Sequence, residues 1–288
     1  MGSARIFEKP AKTAAKSAPT ALSALLSLGR PLVMGVLNVT PDSFSDGGQF
    51  LDPAAAIAHA TEMARQGADI LDIGAESTRP YGGAIPVSAD DEKARLAPVL
   101  SEVVKLGLPV SIDTIKASIA AWAIDQGAAI VNDVWGLQRD SGMAPLVAKR
   151  GLPVIVMHNR EAADAALDIV ADVIAFFSRS LEIAAQAGIA RECIVLDPGI
   201  GFGKTPEQSI TCLARIAEFK RFGLPLLVGA SRKRFISTIT PSPPDGRIGG
   251  SIAAHLLAVE TGAAIVRAHD VAETVQALRV CAAIEAAR

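Results

Sequence analysis

A closed (β/α)8 TIM barrel, a single α/β domain, is the fold this sequence predicts, and three observations predict it. Eight short apolar or β-branched runs alternate with eight Ala-rich segments of helical periodicity. Gly29, Gly67, Gly107, Gly127, Gly151, Gly188, Gly223 and Gly262 each stand a few residues before a run, where a left-handed helix C-cap belongs, although the helix before Gly29 is doubtful. Roughly 250 residues remain after the N-terminal stretch, the usual length of this barrel. An open doubly wound sheet is the alternative.

The first run, 32–37, is too short for a helix and lies between turn formers, so it reads as a strand buried on both faces. It stops at Asn38 and opens into a polar loop that holds Phe44 and the turn residues Asp46-Gly47-Gly48. The other runs are 69–74, 109–113, 129–133, 153–158, 193–197, 225–229 and 264–268. The helical segments are 53–66, 90–106, 116–126, 142–150, 167–187, 206–221, 248–261 and 270–287. Three runs share the entry triplet Gly-Leu-Pro, in which proline starts the strand.

Active sites of such barrels form at the C-terminal ends of the strands. The polar residues fall there: Asn38, the stretch Glu76-Ser77-Thr78-Arg79-Pro80, Asp113, Asn132-Asp133, His158, Asp197, Ser231-Arg232-Lys233-Arg234, and Arg267 with His269. Asp133 and Asp270 also suit turn or helix-capping roles.

Of the 288 residues, 50% are apolar and 20% charged, with a formal charge of -2. That balance suits a compact globule and argues against a broad nucleic-acid surface, leaving small molecules as partners. Cys193, Cys212 and Cys281 are far apart and lack a Cys-x-x-Cys spacing, so neither a disulfide framework nor a zinc site is indicated. A reducing cytoplasm is expected. No apolar run reaches membrane-spanning length. Residues 1–30 carry Ala, Ser, Lys and Thr with Glu8 as the single acid. They read as a flexible extension whose last turn packs under the barrel, or as a transit peptide; residues 31–288 form the barrel.

The candidate residues are of two kinds. Asp113, Asn132 and Asp197 suit the polar edge of a planar heterocycle. Arg79, Lys233, Arg267 and His269, with Asn38 as an oxygen ligand, suit phosphate or diphosphate plus a hard divalent ion. A phosphorylated heterocycle would satisfy both. The Gly201-Phe202-Gly203-Lys204-Thr205 run looks like the end of a phosphate-binding P-loop, but that motif's leading glycine would fall on Pro198. His59 and His255 lie in helical segments and read as surface or core histidines; His158 stays open. No nucleophile elbow or His-x-x-x-His pattern is present.

The sequence resembles the dihydropteroate synthases, folate-pathway transferases inhibited by sulfonamides. The resemblance runs from about Pro31 to the C-terminus. It rests on residues 35–48 (GVLNVTPDSFSDGG), 76–80 (ESTRP), 196–204 (LDPGIGFGK), 231–233 (SRK) and 267–270 (RAHD). It implies condensation of (7,8-dihydropterin-6-yl)methyl diphosphate with 4-aminobenzoate, giving 7,8-dihydropteroate and diphosphate with Mg2+. By similarity Asp113, Asn132, Asp197 and Lys233 hold the pterin with Phe202 nearby, and Asn38 ligates Mg2+. Arg267 and His269 grip diphosphate, and Asp113 stabilises positive charge on the pterin. Phe44, Thr78, Arg79 and Pro80 come from two loops around aminobenzoate, and Lys233 touches the same pocket. A homodimer is also implied.

The sequence departs from the family pattern at Arg234, where serine is common, and in Tyr81-Gly82-Gly83 and Trp135-Gly136. These place loop geometry and carboxylate binding in question. A corrinoid-dependent methyltransferase shares a related pterin-binding barrel, and a non-catalytic pterin-binding paralogue is a second rival. Against both stand Ser77-Thr78-Arg79-Pro80, Ser231-Arg232-Lys233, Arg267 and His269, all present here.

Overall fold

Strands and helices alternate along the computed structural model, which describes residues 20–40, 52–76 and 87–288. The strands are β1 Leu32–Asn38, β2 Ile70–Gly74, β3 Val110–Asp113, β4 Ile130–Asp133, β5 Val154–Met157, β6 Ile194–Asp197, β7 Leu227–Val228 and β8 Ile265–Ala268. The helices are α1 Ala21–Leu26, α2 Pro53–Gln66, α3 Ala89–Val104, α4 Ala117–Asp125, α5 Met143–Arg150, α6 Ile169–Ala187, α7 Pro206–Ala214, α8 Arg234–Ile239, α9 Ile248–Thr261 and α10 Val271–Ala286.

The strands pair in parallel in the order β6-β5-β4-β3-β2-β1-β8-β7. A parallel bridge from Leu196 to Leu226, with the Leu196 amide donating to the Pro225 carbonyl at 3.0 Å, joins β6 to the segment entering β7 and closes the ring. Each strand thus neighbours those before and after it in sequence. That cyclic order selects the (β/α)8 barrel over the open sheet, which would reverse strand order at a switch point.

Side chains alternate along each strand, so every second residue points into the barrel. The first inward layer is apolar: Leu32, Ile70, Ile130, Val195, Leu227 and Ile265 are buried in one cluster with Met34 and Ile155. Helix α1 reaches the same cluster. Its Leu22 is buried there, and its start is capped by Thr20, whose hydroxyl accepts the Ser23 amide at 3.1 Å. Burying one leucine there contributes about 2 kcal/mol. Outward-facing Val33, Leu37, Leu71, Ile73 and Val131 instead pack under the surrounding helices.

All eight punctuating glycines, Gly29 included, have positive φ. The segment 206–221, expected as one helix, is two pieces: α7 ends at Ala214 and a 3-10 turn spans Ile216–Phe222. Three residues per turn put Ile216, Phe219 and Phe222 on one face. Phe219 and Phe222 there meet Phe177 edge-on, with centroids 6.1 and 5.7 Å away. Helix α8, which no periodicity marked, is only six residues long and buries Phe235 and Ile236.

Candidate active site

Two residues beyond the apolar layer, the same strands carry the polar site. Ile70 is followed at that interval by Asp72, Ile130 by Asn132, Val195 by Asp197, and Ile265 by Arg267; Ser111 is likewise followed by Asp113. These side chains converge although the residues are far apart in the chain. The Arg267 guanidinium donates Nε to Asp72 Oδ2 at 2.6 Å and Nη2 to Asp113 Oδ2 at 3.1 Å. Asn132 Nδ2 also donates to Asp72 Oδ2, at 3.1 Å.

Asp72 did not emerge from the sequence, yet it is fully buried and ties Asn132 to Arg267. The signal was a lone acid inside a β-branched strand, two residues past an inward isoleucine. A buried carboxylate needs a cation, and Arg267 is the single arginine or lysine within any of the eight strands.

Burial opposes the Arg267 charge, but the Asp72 and Asp113 carboxylates outweigh it and raise its pKa. Asp113 is pushed up to about 7, first by burial and then by the charge of Asp72, with Arg267 pulling the other way. Burial also raises Asp197 to about 6, against the Gly199 amide, which donates to its Oδ1 at 2.7 Å, and the nearby cations Lys233, Arg267 and Lys204. Asp113 Oδ1 and Asn132 Oδ1 are buried without a hydrogen-bond partner among the described residues. Buried acceptors of this kind call for donors from a ligand.

Lys233 caps this group. Its ammonium lies 4.0 Å from the centroid of the Phe202 ring, so the two expected pterin-pocket residues are in cation–π contact. Gly201, next to Phe202, has φ +80, and a Cβ there would come within 3.2 Å of Lys233 Cδ. The glycines of that run therefore shape a loop. His269 stands apart from the Arg267 network: its ring Nδ1 lies 3.0 Å from Ser231 Oγ, and its amide donates to the same hydroxyl. Arg232, between Ser231 and Lys233, has φ +57, a strained value for a residue other than glycine. Its guanidinium holds Asp270 through Nε at 3.1 Å and Nη2 at 2.5 Å.

That contact corrects the capping role expected of Asp270, which precedes α10 without a side-chain cap bond because its carboxylate is taken by Arg232. Asp133 keeps the turn role, accepting the Trp135 and Leu137 amides at 2.9 and 2.7 Å. His255 is a buried core histidine that accepts the Ala230 amide at 3.3 Å, and His59 is exposed on α2. Arg234 is exposed at the start of α8. Phe44, Thr78, Arg79, Pro80 and the Tyr81-Gly82-Gly83 stretch lie outside the described residues.

Glu76, just before the second of those segments, accepts the Val87 amide at 3.2 Å and pairs with Lys116 at 2.5 Å. Lys116 also holds the fully buried Glu92 at 2.7 Å. Glu76 is therefore a structural tie, with no place in the Arg267 cluster.

Asn38 ends β1 in register with Gly74, which in turn pairs with Asp113 on β3, so it stands at the C-terminal end of the strands. Among the described residues no group of three His, Cys, Asp or Glu side chains could cage a metal. The residues present fit a magnesium ion bound mainly by substrate phosphate oxygens, with one protein ligand. No described helix is long and apolar enough to cross a membrane.

This arrangement has close relatives. A family model described as pterin binding enzyme matches residues 34–269. The dihydropteroate synthase of Bacillus subtilis (strain 168) is 45% identical over 250 residues, covering 86% of this chain and 87% of that protein. A Xanthomonas albilineans dihydropteroate synthase solved with 4-aminobenzoic acid superposes with a TM-score of 0.85 at 44% identity, covering 90% of this chain and 94% of that one. Another from Xanthomonas albilineans, in complex with 7,8-dihydropteroate, gives 0.82 at 41% identity over 90% and 95%. The family model spans the strands that carry Asp72, Asp113, Asn132, Asp197 and Arg267, and the chain belongs to the dihydropteroate synthase family of pterin-binding enzymes, transferases of folate biosynthesis.

Proposed function

We propose the following division of labour in the family's reaction, the condensation of (7,8-dihydropterin-6-yl)methyl diphosphate with 4-aminobenzoate. The observation that carries it is the pair of buried, unpartnered acceptors Asp113 Oδ1 and Asn132 Oδ1 beside Asp197, under a cationic rim. Together they offer acceptors to the N–H edge of a pterin, and Lys233 with Phe202 covers the ring. Arg267 and His269 bind the diphosphate. Phe44, Thr78, Arg79 and Pro80 surround aminobenzoate with Lys233.

Chemically, this is catalysis of leaving-group departure. Negative charge builds on diphosphate as the carbon–oxygen bond breaks, and Arg267 meets it from a site already held by Asp72. The positive charge left on the pterin methylene faces Asp113, whose carboxylate form a nearby cation favours. The aminobenzoate nitrogen then attacks that carbon and loses a proton, so no protein nucleophile is needed. A magnesium ion held by Asn38 and by diphosphate oxygens would neutralise further charge on the leaving group.

We further infer a homodimer, as in the family resemblance. Ile210 on α7, Ile239 on α8 and Leu257 on α9 are exposed on neighbouring elements. Three free cysteines, two of them buried, suit a reducing cytoplasm. Sedimentation tests the first and fractionation the second.

The test of the reaction is diphosphate release with each substrate omitted in turn. Release that requires both substrates and Mg2+ is expected. Equal release without aminobenzoate would mean hydrolysis and overturn the assignment.

A further inference from the structure

Lys204 ends the glycine-rich run that only imitates a phosphate loop, and it is one of the largest fully buried side chains among the described residues. A cation in such a place needs a reason, because desolvation costs it dearly and an apolar chain of the same length would fill the space without that cost. Its contacts supply the reason. The ammonium lies 2.6 Å from His158 Nδ1, 2.9 Å from the Gly199 carbonyl and 3.1 Å from the Phe202 carbonyl. Three donors meet three acceptors, and two of these are main-chain atoms of the loop after β6.

Behind the ammonium, His158 Nε2 lies 2.9 Å from Asp172 Oδ2 on α6, and Arg160 Nη1 donates to the same oxygen at 2.9 Å. Since Lys204 donates to Nδ1, the neutral ring carries its proton on Nε2 and donates it to Asp172. Burial and the Lys204 charge hold His158 down to about 4, so this tautomer persists at neutral pH. The chain from Asp172 through His158 to Lys204 fixes where the ammonium points. In front of it, the gripped loop begins at Asp197, whose carboxylate accepts the Gly199 amide, and ends at Phe202 under Lys233. Gly199, Gly201 and Gly203 all have positive φ, so the loop is built from the residues that lose most conformational freedom on ordering. A Cβ at Gly199 would fall 2.0 Å from the His158 carbonyl, which leaves the loop backbone pressed directly onto the end of β5.

We propose that Lys204, oriented by His158 and Asp172, is a positioning residue for pterin binding: its ammonium holds the Gly199–Phe202 loop in the form that presents the Asp197 carboxylate and the Phe202 ring to the heterocycle. The proposal rests on Asp197 being the pterin anchor, and the controls separate the two ideas. Calorimetry with pterin-6-carboxylate and steady-state kinetics are run on wild type, Lys204→Met, Asp172→Asn and Asp197→Asn. Lys204→Met keeps length and apolar volume and removes a desolvated charge, so the urea midpoint falls only modestly although the acceptors lose their donor. It weakens pterin-6-carboxylate about tenfold and raises the KM for pterin diphosphate in parallel, because two loop carbonyls lose their donor. The KM for aminobenzoate and kcat change by less than about threefold, and Asp172→Asn, which only loosens the relay, falls between Lys204→Met and wild type. A lower midpoint with unchanged pterin affinity in both variants would overturn the proposal and leave Lys204 a structural residue. Unchanged affinity in Asp197→Asn would overturn the pterin reading itself.

Discussion

The two ends of the barrel are made by the same strands, two residues apart, and they obey opposite physics. At the N-terminal end Ile70, Ile130, Val195 and Ile265 form a buried apolar floor with Leu22 packed in the same cluster. About 7 Å further along each strand, the positions hold the buried Asp72, Asn132 and Asp197 and the partly buried Arg267. Burial stabilises the floor. At the mouth it works against ionisation, lifting Asp113 to about 7 and Asp197 to about 6. The contrast teaches that the floor serves stability alone while the ligand-facing groups of the mouth serve binding, with the Arg267 ion pairs as the one mouth group that serves both.

The largest break is expected at Arg267. Arg267→Ala leaves Asp72 and Asp113 without their shared cation and removes the proposed grip on diphosphate. Turnover in the diphosphate-release assay should fall about a thousandfold, and urea denaturation at pH 8 should show a loss of about 3 to 5 kcal/mol. A stable Arg267→Ala variant would mean that the Asp72 pairing is not holding the mouth together. Leu22→Ala tests the opposite end: it should lower stability by about 2 to 4 kcal/mol and leave kcat/KM of the folded enzyme unchanged. A matching loss of pterin affinity would contradict the separation.

Much of this division was legible in the sequence. The strand runs, their glycine punctuation and the polar residues at the run ends were enough to place Asp113, Asn132, Asp197, Lys233 and Arg267 at one mouth. Asp72 is harder to see because it lies within a run and not at its end; only counting by twos from Ile70 places it on the inward face. Lys204 and Glu92 escaped for another reason. Nothing in a local pattern says that a lysine after Gly203, or a glutamate in the first turn of α3, will be buried, since that depends on His158 and Lys116 arriving from elsewhere in the chain. His269 was legible as a mouth residue, but its bond to Ser231 follows from the left-handed turn at Arg232, which no propensity foretells.

A pH series sharpens the comparison with a smaller effect. In the proposed role Asp197 accepts pterin N–H groups as a carboxylate, and burial lifts its pKa to about 6. Affinity for pterin-6-carboxylate should be flat from pH 8 to 7 and weaken by up to about tenfold per unit below pH 6. Calorimetry across that range checks it, and pH-independent affinity would remove Asp197 from the role. Arg234→Ser should matter least. If the exposed arginine at the start of α8 attracts the aminobenzoate carboxylate through a screened field, the KM for aminobenzoate should rise about twofold to threefold at low salt while that for pterin diphosphate is unchanged. A KM that stays the same or falls would dismiss that contribution.

The separation is tested most directly by measuring pterin affinity and unfolding free energy of Asp197→Asn at pH 8. A carboxyl raised from 3.8 to about 6 in the folded state contributes stability that is complete below about pH 4 and lost as pH rises through 6. Wild type has therefore lost it at pH 8, whereas the uncharged amide has nothing to lose. Asp197→Asn should match or exceed wild type in urea, by up to about 3 kcal/mol, while pterin-6-carboxylate binding falls by at least about a hundredfold. A variant that loses stability as Leu22→Ala does, or one that keeps its pterin affinity, would contradict the account.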